Sequence, residues 1–205
     1  MIKQLIPYFL VAAFLVGSAS KISSAKNASA LQSSVAREVI RFHVLANSDS
    51  EADQQLKLKV RDKVIAYTRT QLENCHDIQD ARETILHMED ELVQIAQDVV
   101  YENGYSYEVT ADLGTSYFPE KTYDDLTFPA GDYEALQIYI GEARGHNWWC
   151  VLFPSLCFID ESTATMPESS RETLRKSLTV EEYEALTNGN DEITYRLALF
   201  DWLNK

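Results

Sequence analysis

Residues 38–62 read EVIRFHVLANSDSEADQQLKLKVRD, and this stretch decides the fold. It opens as a strand, because Val39, Ile40, Phe42, Val44 and Leu45 form a short run of β-branched and bulky apolar residues. It closes as a helix, because Leu56, Val60 and Val64 recur every four positions. Between them, Ala46-Asn47-Ser48-Asp49-Ser50 is rich in side chains that hydrogen-bond their own backbone and so favour turns and caps. Ser48 and Glu51 fit a capping box, and Asp49 and Asp53 suit the positive end of the helix dipole. The stretch admits two meanings: a well-capped helix start with no chemistry, or a polar strand-to-helix loop built for binding, with His43 beside it.

Downstream, Asp77 can cap a second helix running to about Asn103, with a stripe of Ala81, Ile85, Met88, Leu92, Ile95 or Ala96, and Val99. Gly104 ends it, and His87 lies off the stripe. The two helices should pack as an antiparallel hairpin on one side of a sheet. From Tyr105 the period becomes two, giving a strand through Tyr107, Val109 and Ala111. Residues 114–131, with two prolines, predict an edge strand and a long ordered loop. Tyr133–Ile140 and Trp148–Phe153 predict a hairpin turned at Gly141–Gly145. Glu161–Ser177 predicts a polar surface excursion. Thr179 and Glu182 form a second capping box and start a short helix to about Thr187. Glu192–Asn204 carries both a strand and a helical period, with helix the preferred assignment. The fold class is therefore α+β: an antiparallel or mixed sheet of four to five strands, a long helical hairpin on one face, and short C-terminal helices.

The N-terminus has the make-up of an export signal. Lys3 precedes an apolar run from Leu5 to Val16, and small residues follow at Gly17-Ser18-Ala19 and Ala28-Ser29-Ala30. The run is short for a bilayer span, so export with cleavage is favoured over a retained anchor. Residues 1–30 are assigned to the leader, 31–37 to a flexible linker, 38–160 to the domain, and 161–205 to the polar excursion and C-terminal segment. The net charge of −14 falls to −17 once the three lysines of the leader are removed. Such a charge opposes nucleic acid and anionic lipid. Lys57, Lys59, Arg61 and Lys63 make the densest basic patch, either a solvated helix face or a docking surface.

The second dense stretch is GHNWWCVLFPSLCFID at 145–160. Adjacent Trp148 and Trp149 point to opposite faces of a strand, so one can enter the core while the other covers a surface. Cys150 and Cys157 are placed to bridge a turn and leave Cys75 unpaired; the alternative is three small buried thiols.

These two stretches, RFHVLANSDSEADQQLKLKVRD and PAGDYEALQIYIGEARGHNWWCVLFPSLCF, together with the exported N-terminus, resemble the stage II sporulation protein R family over about residues 38–160. The resemblance implies an exported signal, released by the forespore into the space between it and the mother cell. There it would activate a membrane-embedded aspartic protease that processes a sigma-factor precursor. The family signature falls on Asn47, Asp49, Asp53, Lys57 and Asp62, and on His146, Asn147, Trp148, Trp149 and Cys150. It carries no catalytic assignment onto them. One departure is Ser155, where a second proline beside Pro154 is expected, which should loosen the turn between the two cysteines.

Partner contact is accordingly assigned to His43, Asn47, Asp49, Asp53, Lys57, Tyr117, Phe118, His146, Asn147, Trp148 and Trp149, with the aromatic residues as anchors. No cofactor, metal site, nucleic acid or small-molecule substrate is expected, nor stable membrane insertion after cleavage. The competing reading is an exported thiol hydrolase using Cys150 and His146. Residues four apart on a strand stand about 13 Å apart, so that reading needs a sharp turn to unite them. A metal site from His43, Asp49, Asp53 and His146 rests only on common residue types. No G-x-S-x-G, H-E-x-x-H or P-loop pattern occurs.

Overall fold

The computed structural model describes residues 28–157 and 168–187. The leader before residue 28, residues 158–167 and the segment from residue 188 lie outside them. Residues 28–35 are helical (α1). There follow β1 (Ile40–Leu45), α2 (Glu51–Leu72), α3 (Ile78–His87), α4 (Glu89–Glu102), β2 (Val109–Phe118), β3 (Lys121–Tyr123), β4 (Leu126–Phe128), β5 (Gly131–Ile140), β6 (Asn147–Phe153), α5 (Glu168–Ser177) and α6 (Val180–Thr187). Helices and a mixed sheet in separate layers make the chain α+β. Among the described residues no helix is long and apolar enough to cross a membrane.

The main sheet has the order β2-β5-β1-β6. β1 runs parallel to β5 and antiparallel to β6, and β2 runs antiparallel to β5. The predicted hairpin of β5 with β6 is thus overturned: β1 lies between them. Alternation sorts the strand residues. Ile40, Phe42 and Val44 of β1 meet Leu136, Ile138 and Ile140 of β5 beneath α2, α3 and α4. Arg41 and His43 point to the opposite face, where a second core forms from Val35 and Val39, Phe118, the β3–β4 hairpin, and Leu174 and Leu186 of α5 and α6.

Several local expectations need correction. Residues 31–37 are not a flexible linker; residues 28–35 are helical because Leu31 and Val35 pack into the second core. The cap of α2 is Ser50, whose hydroxyl oxygen accepts the Asp53 amide, rather than Ser48. The helix begun at Asp77 breaks at Met88, whose backbone departs from helical values (φ −102°, ψ 7°). The apolar stripe continues across the break, so periodicity cannot reveal it. β2 starts at Val109, because the Val109 amide and the Tyr107 carbonyl are taken by the Gln97 side chain of α4. Residues 121–128, expected to lie in a long ordered loop, form a small hairpin, and residues 168–177 of the predicted excursion are helical. Cys150 and Cys157 are joined by a disulfide. At Ser155, the turn that the missing proline was expected to loosen is held by this bridge, by the Leu156 amide on the Val151 carbonyl (3.0 Å), and by the Ser170 hydroxyl on the Ser155 carbonyl (2.6 Å).

Candidate functional site: a clasp between two loops

Because β1 sits between β5 and β6, residues 141–146 must carry the chain across the end of β1. Stepping over one strand means spanning about 9.6 Å, twice the interstrand spacing. The loop that follows β1 receives this crossing. The Gly145 amide donates to the Ala46 carbonyl (2.9 Å) and the Arg144 amide to the Asn47 carbonyl (3.2 Å). The Asn47 side chain works in both directions: its Oδ1 accepts the Glu142 amide (3.0 Å) and its Nδ2 donates to Asp53 Oδ2 (2.9 Å). Ser48 donates to the same Asp53 oxygen at 2.5 Å. Lys57, one turn into α2 from Asp53, sends its ammonium to the His146 carbonyl (2.9 Å) and to Gln54 (2.6 Å). Asp49 accepts the His146 amide (2.6 Å) and also pairs with the His146 ring.

Two glycines make the fit possible. A Cβ on Gly145 would stand 2.2 Å from the Ser48 carbonyl oxygen. At Gly141, φ is +58°, and a Cβ would stand 2.3 Å from Asn47 Oδ1.

Two carboxylates in the clasp are held below the usual carboxylate range. For Asp49 the leading cause is the His146 amide. For Asp53 burial acts first and pushes upward, but hydroxyl and amide donors from Ser48, Asn47, Tyr107 and Ser50 outweigh it. A carboxyl with a depressed folded-state pKa stabilises the fold above the unfolded value, near 3.9 for Asp, and loses that contribution as pH falls through the folded value. Thermal stability should therefore drop as pH falls from 5 towards 2. Asp53→Asn should flatten that drop; an unchanged slope would mean Asp53 does not carry it.

The structure divides the predicted contact residues. Asn47, Asp49, Asp53, Lys57 and His146 meet in the clasp, with Asp53 and Lys57 buried and the side chains of His146 and Asp49 80% and 55% exposed. Burial of Lys57 contradicts a uniformly solvated basic face and lowers the pKa of its ammonium. His43 is also buried, on the second face of the sheet, with Nε2 2.9 Å from Gln137 Oε1 and Nδ1 3.3 Å from Asn147 Oδ1. Gln137 donates onward to Asp112 (3.2 Å), so a polar row crosses all four strands. Phe118 is wholly buried and cannot be an exposed anchor, whereas Tyr117 is 64% exposed. Trp148 lies edge-on to Phe42 under the Arg61 guanidinium (4.7 Å), and Trp149 lies on the other face beneath Lys121 (5.1 Å). Both Trp are half-buried, each with a cation over its ring.

Asp49 and His146 meet, but His43 and Cys150 do not join them. Cys150 faces the helices, bridged and buried, while His43 faces away from them. A cleft of about 610 Å³ is lined by Tyr67, Cys75, Thr84, His87 and Glu91 at the far end of α2, about 33 Å along the helix from its start. Among the described residues no group of three or more His, Cys, Asp or Glu is arranged to hold a metal.

Sequence reasoning missed Arg41, Gln137, Asp112 and the two clasp glycines. The one available signal is an arginine, with His43 two residues on, inside a short and mainly apolar strand. Arg41 is 0% exposed and has no acidic partner among the described residues. Its Nε donates to the Cys150 carbonyl (3.1 Å) and Nη2 to the Tyr123 hydroxyl (3.2 Å), while Nη1 has no hydrogen-bond partner among the described residues. Phe118, Tyr123, Phe128 and Tyr133 surround the guanidinium at 4.5–5.8 Å, so ring faces take the place of a carboxylate. Burial pushes the Tyr133 phenol up to about 12.

Together the sheet order and the clasp define a disulfide-bonded α+β domain in which polar residues tie two loops over the end of a parallel strand pair. Both loops lie within the span matched by the family model for stage II sporulation protein R, residues 36–163. The chain belongs to that family, and its role lies in sporulation. It is 36% identical over 170 residues to the stage II sporulation protein R of Bacillus subtilis (strain 168), covering 80% of this chain and 76% of that protein. No solved structure matches.

Proposed function

We propose that this protein is exported into the space between forespore and mother cell and activates a membrane-embedded aspartic protease, which then cleaves a sigma-factor precursor. Family membership supplies the sporulation context. The observation that carries the rest is the clasp: its polar residues are spent on one another, so they hold a shape instead of lining a reaction cleft. An activator acts only through greater affinity for the active state, and a tenfold bias needs about 1.4 kcal/mol of differential binding. The exposed side chains around the clasp and Tyr117 suffice for that scale. The thiol-hydrolase reading needs a free Cys150, and the bridge to Cys157 counts against it.

The test is co-production of the full chain with the candidate protease and precursor in a non-sporulating host. Cleavage should require this protein, and Trp148→Ala and Trp149→Ala should each reduce it if the indoles join the contact. Absence of cleavage with the folded wild-type protein contradicts activation. Normal cleavage with both folded variants removes the Trp residues from the contact.

A further inference from the structure

β2 is an edge strand of ten residues paired only with β5. Its even-numbered residues face β5: the Glu108 carbonyl accepts the Gly141 amide on that side (2.8 Å). The odd-numbered residues face outward, as the Val109 amide does on Gln97. The pairing runs one-to-one from Val109 to Phe118 with no bulge, so the alternation holds throughout. The N–H and C=O groups of Ala111, Leu113, Thr115 and Tyr117 therefore point away from the sheet, and no partner for them occurs among the described residues. β6, the other edge, is treated differently. Its Val151 carbonyl accepts the Leu156 amide and its Trp149 carbonyl accepts the Tyr123 hydroxyl (3.4 Å).

Natural sheets protect free edges with Lys, Pro, bulges or a covering segment. β2 carries no Lys, no Pro and no bulge, and only one charged residue, Asp112. Tyr117 beside it is the one large hydrophobic residue exposed on a strand among the described residues. We infer that the outer edge of β2 is a docking site for an extended segment of the receptor, which joins the sheet as a fifth strand. This rests on the activator reading above. The surroundings specify the segment. Glu108, Asp112, Glu120 and Asp132 flank the β2–β5 ribbon, so a neutral or basic strand fits, with apolar side chains at alternate positions against Leu113 and Tyr117. The same acidic flank, on a chain of charge −14, disfavours pairing with a second copy.

Two full-chain variants test this. Leu113→Pro and Thr115→Pro each remove an outward N–H and leave the ladder to β5 intact, the placement in which an edge strand tolerates proline. With melting temperature near wild type, each should weaken binding to the detergent-solubilised protease about tenfold and reduce precursor cleavage. Unweakened binding by both folded variants would overturn the inference. A benzophenone amino acid at Thr115 gives an answer even if the proline variants do not fold. A cross-link to the protease is expected; one to a second copy, one to residues 188–205 of the same chain, or none on a protease-bound protein overturns it. Failure of the underlying activator reading is distinct: wild type itself would neither bind nor trigger cleavage, and the docking site would fall with it.

Discussion

Arg41→Ala should cost about 3–5 kcal/mol and lower the melting temperature by roughly 10 °C or more, measured by calorimetry on the folded, oxidised protein. The substitution empties the centre of the second core, where Phe118, Tyr123, Phe128 and Tyr133 pack around the guanidinium. Arg41→Met discriminates the cause. Among the described residues the guanidinium has no acid to offset its desolvation cost, and its Nη1 has no hydrogen-bond partner. A methionine of similar reach restores the packing and sheds the charge, so it should fall within about 1 kcal/mol of wild type, as apolar replacements of buried charges often do. If Arg41→Met is as damaging as Arg41→Ala, the positive charge itself holds the aromatic residues together and volume is secondary.

Gly145→Ala should cost about 2–3 kcal/mol, or roughly 5–10 °C, although it adds a single methyl group in a loop. The added Cβ would lie 2.2 Å from the Ser48 carbonyl oxygen and 2.9 Å from the Ala46 Cβ, so a backbone segment has to move. Movement there breaks the bonds from Gly145 to Ala46 and from Lys57 to the His146 carbonyl. The variant should also lose amide-exchange protection at Glu142 and His146, whose N–H groups bond Asn47 and Asp49. A melting temperature within about a degree of wild type would mean that the two loops do not approach as described.

Much of this fold was legible in local patterns. Leu56, Val60 and Val64 marked α2, the Val39–Leu45 run marked β1, and Asp77 marked the start of α3, because side-chain period and capping are short-range effects. Strand order was not legible. The pairing of β1 with both β5 and β6 joins residues 94 to 113 positions apart, and the Gly141–His146 connection looks like a hairpin turn until β1 is placed beneath it. In sequence Phe118 reads as an exposed anchor, because its burial on the second face depends on α1, the β3–β4 hairpin and α5–α6. The clasp was half legible. Its polar residues stood out by type, but their mutual bonding was hidden, since nothing in the spacing of Asn47 or Asp53 announces a partner at 142 or 146. Gly145 carried no signal beyond that of an ordinary turn residue.

We propose that the signature residues hold a contact surface and take no part in bond breaking. One triple variant, His146→Ala with Cys150→Ala and Cys157→Ala, decides this when assayed for protease binding and precursor cleavage alongside the co-produced protease. Provided the variant is folded, cleavage per protease-bound molecule should match wild type, since neither the imidazole nor a sulfur is needed for chemistry, while loss of the exposed His146 side chain is expected to weaken binding. Loss of cleavage with fold and protease binding both intact would contradict it.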